Sequence, residues 1–282
     1  MAGTLHVVAT PLGHLADLST RARETLASAR LIACEDTRRT AKLLAHCGLA
    51  VPMIAVHKFS ERARLVEVLQ VLAGGGDVAL VSDGGTPGVS DPGALLVAAA
   101  HDAGIRVSPV PGPSAVAAIV SASGLPGDRF VFEGFLPPRA GARRNRLREL
   151  ASEPRTVVVY EAPHRVRDTL ADMANVLGAR TLVLGRELTK VHETILRGNA
   201  RDVLDRLGAG DVKGEIAIAF SGCDETTAGG PVEDDALETA WSAALAAADG
   251  DTRQALKSAA KALGLKKPEL WRRLAERGLV RV

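Results

Sequence analysis

DVALVSDGGTPGVSDPG (77–93) decides the architecture: an apolar, β-patterned run passes directly into a loop of Gly, Pro, Ser and Asp. A short apolar run bounded by turn residues reads as a strand buried on both faces. Working outward, the same arrangement recurs on either side. LHVVA (5–9) runs into ATPLGHLADLS (9–19), and IRVSPV (105–110) runs into VPGPSA (110–115). RLIAC (30–34) and MIAV (53–56) add two strand-like runs, and helical patterns lie around 19–29, 37–47, 60–73 and 92–103. Strands alternating with helices predict a mostly parallel α/β sheet with covered faces. Loops that follow parallel strands emerge together at the carboxyl edge, where ligands of open α/β sheets bind. Glycine lets backbone approach a ligand and proline holds a loop rigid. One such loop is as easily an ordinary turn; three at one edge predict a ligand cleft.

Beyond Val110 the pattern changes. VPGPSAVAAIVSASG gives a Pro/Gly turn, a helix of small residues and a Gly break. Strand-like runs follow at 129–135, 155–160, 180–185, 193–198 and 215–220, with helices near 139–151, 164–177 and 200–207. ETILRG and EIAIAF are separated by one short helix, so a second α/β domain with a mixed sheet is expected. DETTAGGPVEDD (224–235) is a linker by composition. After it comes an Ala-rich helical stretch, ending in a helix, a Gly-Leu turn and a second helix with Pro268 in its first turn. The division expected is 1–112, 113–222 and a basic helical extension over 223–282.

The chain has 282 residues, long enough for about two cores, and at 3% aromatic these must be packed with Ala, Val and Leu. No apolar run approaches the ~20 residues of a membrane span, and MAGTLHVVAT lacks the plan of a signal peptide, so a cytoplasmic protein is expected. Cys34, Cys47 and Cys223 lack zinc-like spacing, which argues against a disulfide framework and against a metal; they read as small buried hydrophobes. Net charge is only +2, but it is unevenly spread. Residues 224–251 carry acids and no Lys or Arg. The segment from Arg253 on is basic and includes Lys266 and Arg272. A second cluster holds Arg139, Arg143, Arg144, Arg146 and Arg148. Local basic patches on a nearly neutral chain fit a polyanion gripped at defined places.

A dinucleotide fold would show G-x-G-x-x-G after the first strand, and TPLGHL does not fit it; nor is there a G-x-x-x-x-G-K-[ST] loop. Instead, VVATPLGHLADLS, ACEDTRRTAKLL, VSDGGTPGVSDPG, VPGPSAV, FEGFLPP, VVYEAPHR, GRELTKVHETILRG and KGEIAIAF occur in order from about Leu5 to Phe220. Together they resemble the tetrapyrrole (corrin/porphyrin) methylase family, in its branch of bacterial small-subunit ribosomal RNA 2′-O-methyltransferases. The resemblance implies two α/β domains with S-adenosyl-L-methionine in the cleft between them, commonly in a homodimer. The substrate it implies is the 2′-hydroxyl of a cytidine in the decoding region of 16S ribosomal RNA, within the small ribosomal subunit. Carried over by motif, the cofactor contacts are Pro11, Asp83, Thr86, Pro87, Gly88, Val89, Ser114, Ala115, Tyr160, Gly214 and Glu215. Corrin enzymes have G-x-G-x-G-D where this chain has Thr10 to Leu15, which counts against the alternative of a tetrapyrrole C-methyltransferase. The ribosomal branch has Asn where this chain has His14, which can still hydrogen-bond.

Methyl transfer to a ribose hydroxyl needs alignment and a base for the proton, with no metal. Glu35, Asp36 and Glu161 are the candidates, each with a plainer alternative where the residues offer one. Asp36 can cap the helix that begins at Thr37, and Glu161 can pair with Arg165 one turn on. Arg38, His164 and Arg165 are candidate RNA contacts, together with the basic tail. PPRAGARRNRLREL (137–150) is either a solvated helix face or, as favoured beside FEGFLPP, a mobile phosphate-gripping loop.

Overall fold

A computed structural model describes residues 2–56, 61–208, 210–223, 234–263, 265 and 267–280. Two five-stranded sheets carry the body of the chain. The first contains β1 (Thr4–Val8), β2 (Leu31–Cys34), β3 (Met53–Ala55), β4 (Val78–Val81) and β5 (Arg106–Val110), in the order β3-β2-β4-β1-β5. All its pairings are parallel. Side chains alternate across a strand, and here the alternation builds two cores. Ile32, Cys34, Ala79 and Val81 face α1 (Thr20–Ser28) and α2 (Thr37–Cys47). Ala33, Val78 and Leu80 face α3 (Glu61–Ala73) and α4 (Ala94–Asp102).

α5 (Ala115–Ser123) leads into the second sheet: β6 (Phe130–Phe135), β7 (Thr156–Glu161), β8 (Leu182–Arg186), β9 (Thr194–Gly198) and β10 (Ile216–Phe220). The order is β6-β7-β10-β8-β9; β6 runs parallel to β7 and the other three pairings are antiparallel. Ile216, Ile218 and Phe220 pack against α6 (Ala140–Leu150), α7 (Val166–Leu177) and α8 (Ala200–Arg206), while Ala217 and Ala219 pack against α5. The mixed sheet is thus as the sequence predicts. The Arg-rich stretch is helix α6 rather than a mobile loop, because Leu147 and Leu150 fall one turn apart and bury in the core of the second sheet.

α9 (Asp234–Ala247), α10 (Thr252–Ala262) and α11 (Lys267–Glu276) share a separate core around Leu237, Trp241, Leu270 and Leu274. Trp241 is its buried ring. The linker acids at 224–233 and Lys266 lie outside the described residues. All three cysteines are free and buried.

Candidate active site

β4, β1 and β5 are neighbours, so the loops that follow them leave the sheet side by side. They are stitched together. Thr10 and Gly85 exchange two backbone hydrogen bonds, both 2.9 Å. The Thr10 hydroxyl donates to the Ser82 carbonyl at 3.2 Å, and the Thr86 hydroxyl to the Pro113 carbonyl at 3.1 Å. Gly85 sits at φ +91°, and a Cβ there would stand 3.2 Å from Leu12 Cδ2, so the turn calls for glycine. Against these loops stand Tyr160 at the end of β7, Leu188, and the segment from Gly214 to Ala217 that opens β10. Between the two walls lies a cleft of about 330 Å³.

Its charge is acidic. Asp83, Asp91 and Glu215 line it, and Glu35 stands close enough to Asp91 and Asp83 to feel their charges. Burial pushes the Asp91 carboxyl above its ordinary value, against a hydrogen bond from Ser82, and Asp83 and Glu215 push it further. Glu35 is raised in the same way, by burial and then by Asp91 and Asp83. Tyr160 is pushed up to about 12 by burial and by Asp91, despite the Val116 N–H beside its hydroxyl. Arg39 of α2 ties the walls together, reaching Asp83 at 3.3 Å and Glu215 at 3.4 Å.

Of the cofactor contacts named from sequence, Asp83, Thr86, Val89, Ser114 and Ala115 line one wall, and Tyr160, Gly214 and Glu215 the other. Pro11, Pro87 and Gly88 do not line the cleft. Pro11 and Pro87 are buried behind it, and Gly88 is exposed. The sequence reading missed Asp91, although it belongs to the same SDPG turn, and missed Leu12, Phe135, Leu188, Ile216 and Ala217. The last four lie on strands or strand ends with nothing but apolar character to mark them.

The candidate bases differ in what already engages them. Glu161 is 2% exposed, and its carboxylate accepts hydrogen bonds from the Ala162 N–H, the Arg165 guanidinium and the Thr169 hydroxyl. Glu161 lines the cleft, and a carboxylate engaged in this way orients its neighbours. Asp36 caps α2 through the Arg38 N–H at 2.8 Å. The Arg38 side chain and that backbone N–H hold its carboxyl well below the usual range, which makes it a poor base. Among the described residues, Glu35 has no such engagement.

Ion pairs within the fold engage much of the arginine cluster. Arg143 is 4% exposed and donates from Nε to Asp172 Oδ2 at 2.8 Å. Arg144 reaches the other oxygen of Asp172 at 3.4 Å, and Arg146 is clamped between Glu133 and Glu149 at 2.6 Å each. Helical spacing turns these three toward carboxylates on β6, α6 and α7, which a charge count along the chain does not register. Arg139 is exposed and in no ion pair among the described residues. Arg38 is 87% exposed although paired with Asp36. His164 is exposed, Arg165 is engaged with Glu161 and the Leu136 carbonyl, and Arg272 pairs with Glu276 at 3.5 Å. His14 accepts from the Ala16 N–H through Nδ1 and caps a short turn.

Comparison with known proteins adds the relationship. A family model described as Tetrapyrrole (Corrin/Porphyrin) Methylases matches residues 4–204. The Ribosomal RNA small subunit methyltransferase I of Xylella fastidiosa is 50% identical over 223 residues, covering 78% of this chain and 82% of that one. Its namesake in Mesorhizobium japonicum is 44% identical over 274 residues, covering 96% and 91%. Among solved structures, the methyltransferase CobJ superposes with a TM-score of 0.60 at 21% identity, covering 79% of this chain and 95% of that one. The uroporphyrin-III C-methyltransferase of Thermus thermophilus, complexed with S-adenyl homocysteine, gives 0.56 at 18%, covering 77% and 97%. These two share the fold. Matched by the family model over most of its length and by close relatives along most of theirs, the chain belongs to the tetrapyrrole (corrin/porphyrin) methylases, in the group of the ribosomal RNA small subunit methyltransferases I.

Proposed function

We propose that this chain methylates a ribose 2′-hydroxyl, that of a cytidine in the decoding region of 16S ribosomal RNA, on the small ribosomal subunit and with S-adenosyl-L-methionine as donor. The observation that carries the reading is the cleft itself: three stitched loops at the carboxyl edge of one sheet, faced by the β7 and β10 ends of the other, with an acidic lining. The donor set fits the cofactor, whose sulfonium and ammonium groups are cationic. Asp83, Asp91 and Glu215 offer carboxylates, and Leu12, Val89, Leu188 and Ile216 offer apolar wall. Once bound, the cofactor supplies an electrophilic methyl group for in-line transfer.

The residues of the chain then have separate tasks. The loops fix position, which is most of what a displacement of this kind requires. Asp91 at the wall and Glu35 beside it, both with raised carboxyl pKa values, are placed to accept the hydroxyl proton. Arg38 and Arg139 are exposed cations for phosphate. The names of the close relatives support the ribosomal substrate. A homodimer and a cytoplasmic location belong to the same reading; no described helix is long and apolar enough to cross a membrane. The domain division at 112 and 222 also belongs to it, supported by the packing of α5 on the second sheet.

The test is radiolabelled methyl transfer to small subunits from cells lacking the modification, followed by nuclease mapping. Label in a single 2′-O-methyl nucleotide is expected. No label, with cofactor binding intact, would redirect the assignment to a tetrapyrrole or another RNA.

A further inference from the structure

A second cavity, of about 440 Å³, adjoins the cleft and shares Phe135 and Ala162 with it. Leu136, Pro137, Pro138, His164 and Arg165 complete it. Phe135 is 55% exposed, in a chain that has only five phenylalanines and one tyrosine. A ring left in water is poor core packing, and its placement is set by a specific backbone device. On a regular strand Phe132 and Phe135, three residues apart, would point to opposite faces. β6 instead carries a register shift between Phe132 and Gly134, with Gly134 at φ +72°. The extra residue brings both rings to the same side, where they meet Tyr160 edge-on at centroid distances of 4.9 and 5.7 Å. Bulges beside active sites commonly re-aim a side chain in this manner.

We propose that Phe135, with Pro137 and Pro138, forms a shelf on which the base of the target nucleotide stacks once it has left its own stack. This rests on the function proposed above. A hydroxyl about 3 Å from the transferred methyl group fixes its ribose at the mouth of the cleft, so the attached base must occupy contiguous space. The contiguous depression is open to solvent, is lined by Phe135 and two prolines, and has Arg165 and the exposed His164 at its rim. Enzymes that modify a nucleotide inside folded nucleic acid take the base out and hold it against aromatic or apolar side chains.

The experiment measures KM and kcat for small subunits, and separately cofactor affinity by calorimetry, in wild type, Phe135→Ala and Phe135→Trp. Loss of a stacking partner should raise KM for the subunit about 5- to 150-fold. Phe135 also borders the cofactor cleft, so KM for the subunit is read at saturating cofactor, where it should rise by more than any change in cofactor affinity, and Phe135→Trp should restore it. Unchanged KM in Phe135→Ala overturns the shelf. Cofactor affinity falling in step with the KM effect overturns it too, assigning the ring to the donor site. If the wild-type protein transfers no label to subunits, the functional reading fails and the shelf fails with it.

Discussion

Replacing Arg143 with alanine separates a structural arginine from an RNA-gripping one. The Arg143 side chain lies on the inner face of α6, and its Nε and Nη2 both stand 2.8 Å from Asp172 Oδ2 on α7. Asp172 is itself only 7% exposed. Removing one partner of a buried pair leaves an uncompensated charge, which costs about 3–5 kcal/mol. Arg144 remains 3.4 Å from the other carboxylate oxygen and is half-exposed, so the loss should fall near the lower figure, about 3 kcal/mol. In a protein of this size that lowers the melting temperature by roughly 6–12 °C. Circular dichroism melts report this, with a salt titration of subunit binding run in parallel. The double variant Arg143→Met/Asp172→Leu should recover most of the stability, because an apolar pair of similar volume can replace a buried ion pair. A melting temperature within about 2 °C of wild type, together with a tenfold loss of subunit affinity and a shallower salt slope, would refute the reasoning.

Glu161→Gln should lose about 1–3 kcal/mol of stability through weakened charged hydrogen bonds, with the pH profile of kcat unaltered; a hundredfold fall in kcat at unchanged melting temperature would make it a base after all. Gly85→Val forces a branched side chain into φ +91° against Leu12, a strain of about 1–3 kcal/mol, and calorimetry should show weakened cofactor binding. Asp91 and Glu35 have raised carboxyl pKa values, so in the free protein their contribution to stability is present at low pH and lost as pH rises through those values. A cationic ligand favours the ionised forms, so its affinity should rise over the same window, by up to about tenfold per pH unit for one proton released, and Asp91→Asn should flatten the curve. Arg38→Ala with Arg139→Ala should reduce the log–log salt slope of subunit binding by about 1–2 and leave cofactor affinity unchanged; an unaltered slope would remove both from the RNA contact.

Backbone architecture was legible because its signals are local. Continuous apolar runs such as IAC and VALV, buried on both faces, and Gly/Pro punctuation after three strands carry the parallel sheet and its cleft without reference to distant residues. The cap at Asp36 is local as well. What sequence reading missed depends on pairing across the fold. Nothing within PPRAGARRNRLREL says that Asp172, on another helix, neutralises Arg143, so a basic run was read as a surface. The bulge at Gly134 likewise depends on the register between β6 and β7, and without it FEGF reads as a plain strand end. Glu161 was ambiguous for the converse reason. Its partner Arg165 was visible one turn along, but the Thr169 hydrogen bond and the burial were not.

The position of β1 bears on how the protein is made. β1 lies inside its sheet, with Leu5 opposite Val78 and Thr4 opposite Arg106. It cannot be enclosed until β4 and β5 have left the ribosome, so closure of the sheet depends on long-range contacts that form late. The far wall of the cleft comes later still, with Tyr160 and then Gly214. A nascent chain therefore gains the complete cleft only once Gly214 to Ala217 have been made, and a fragment ending before β10 lacks that part of the far wall.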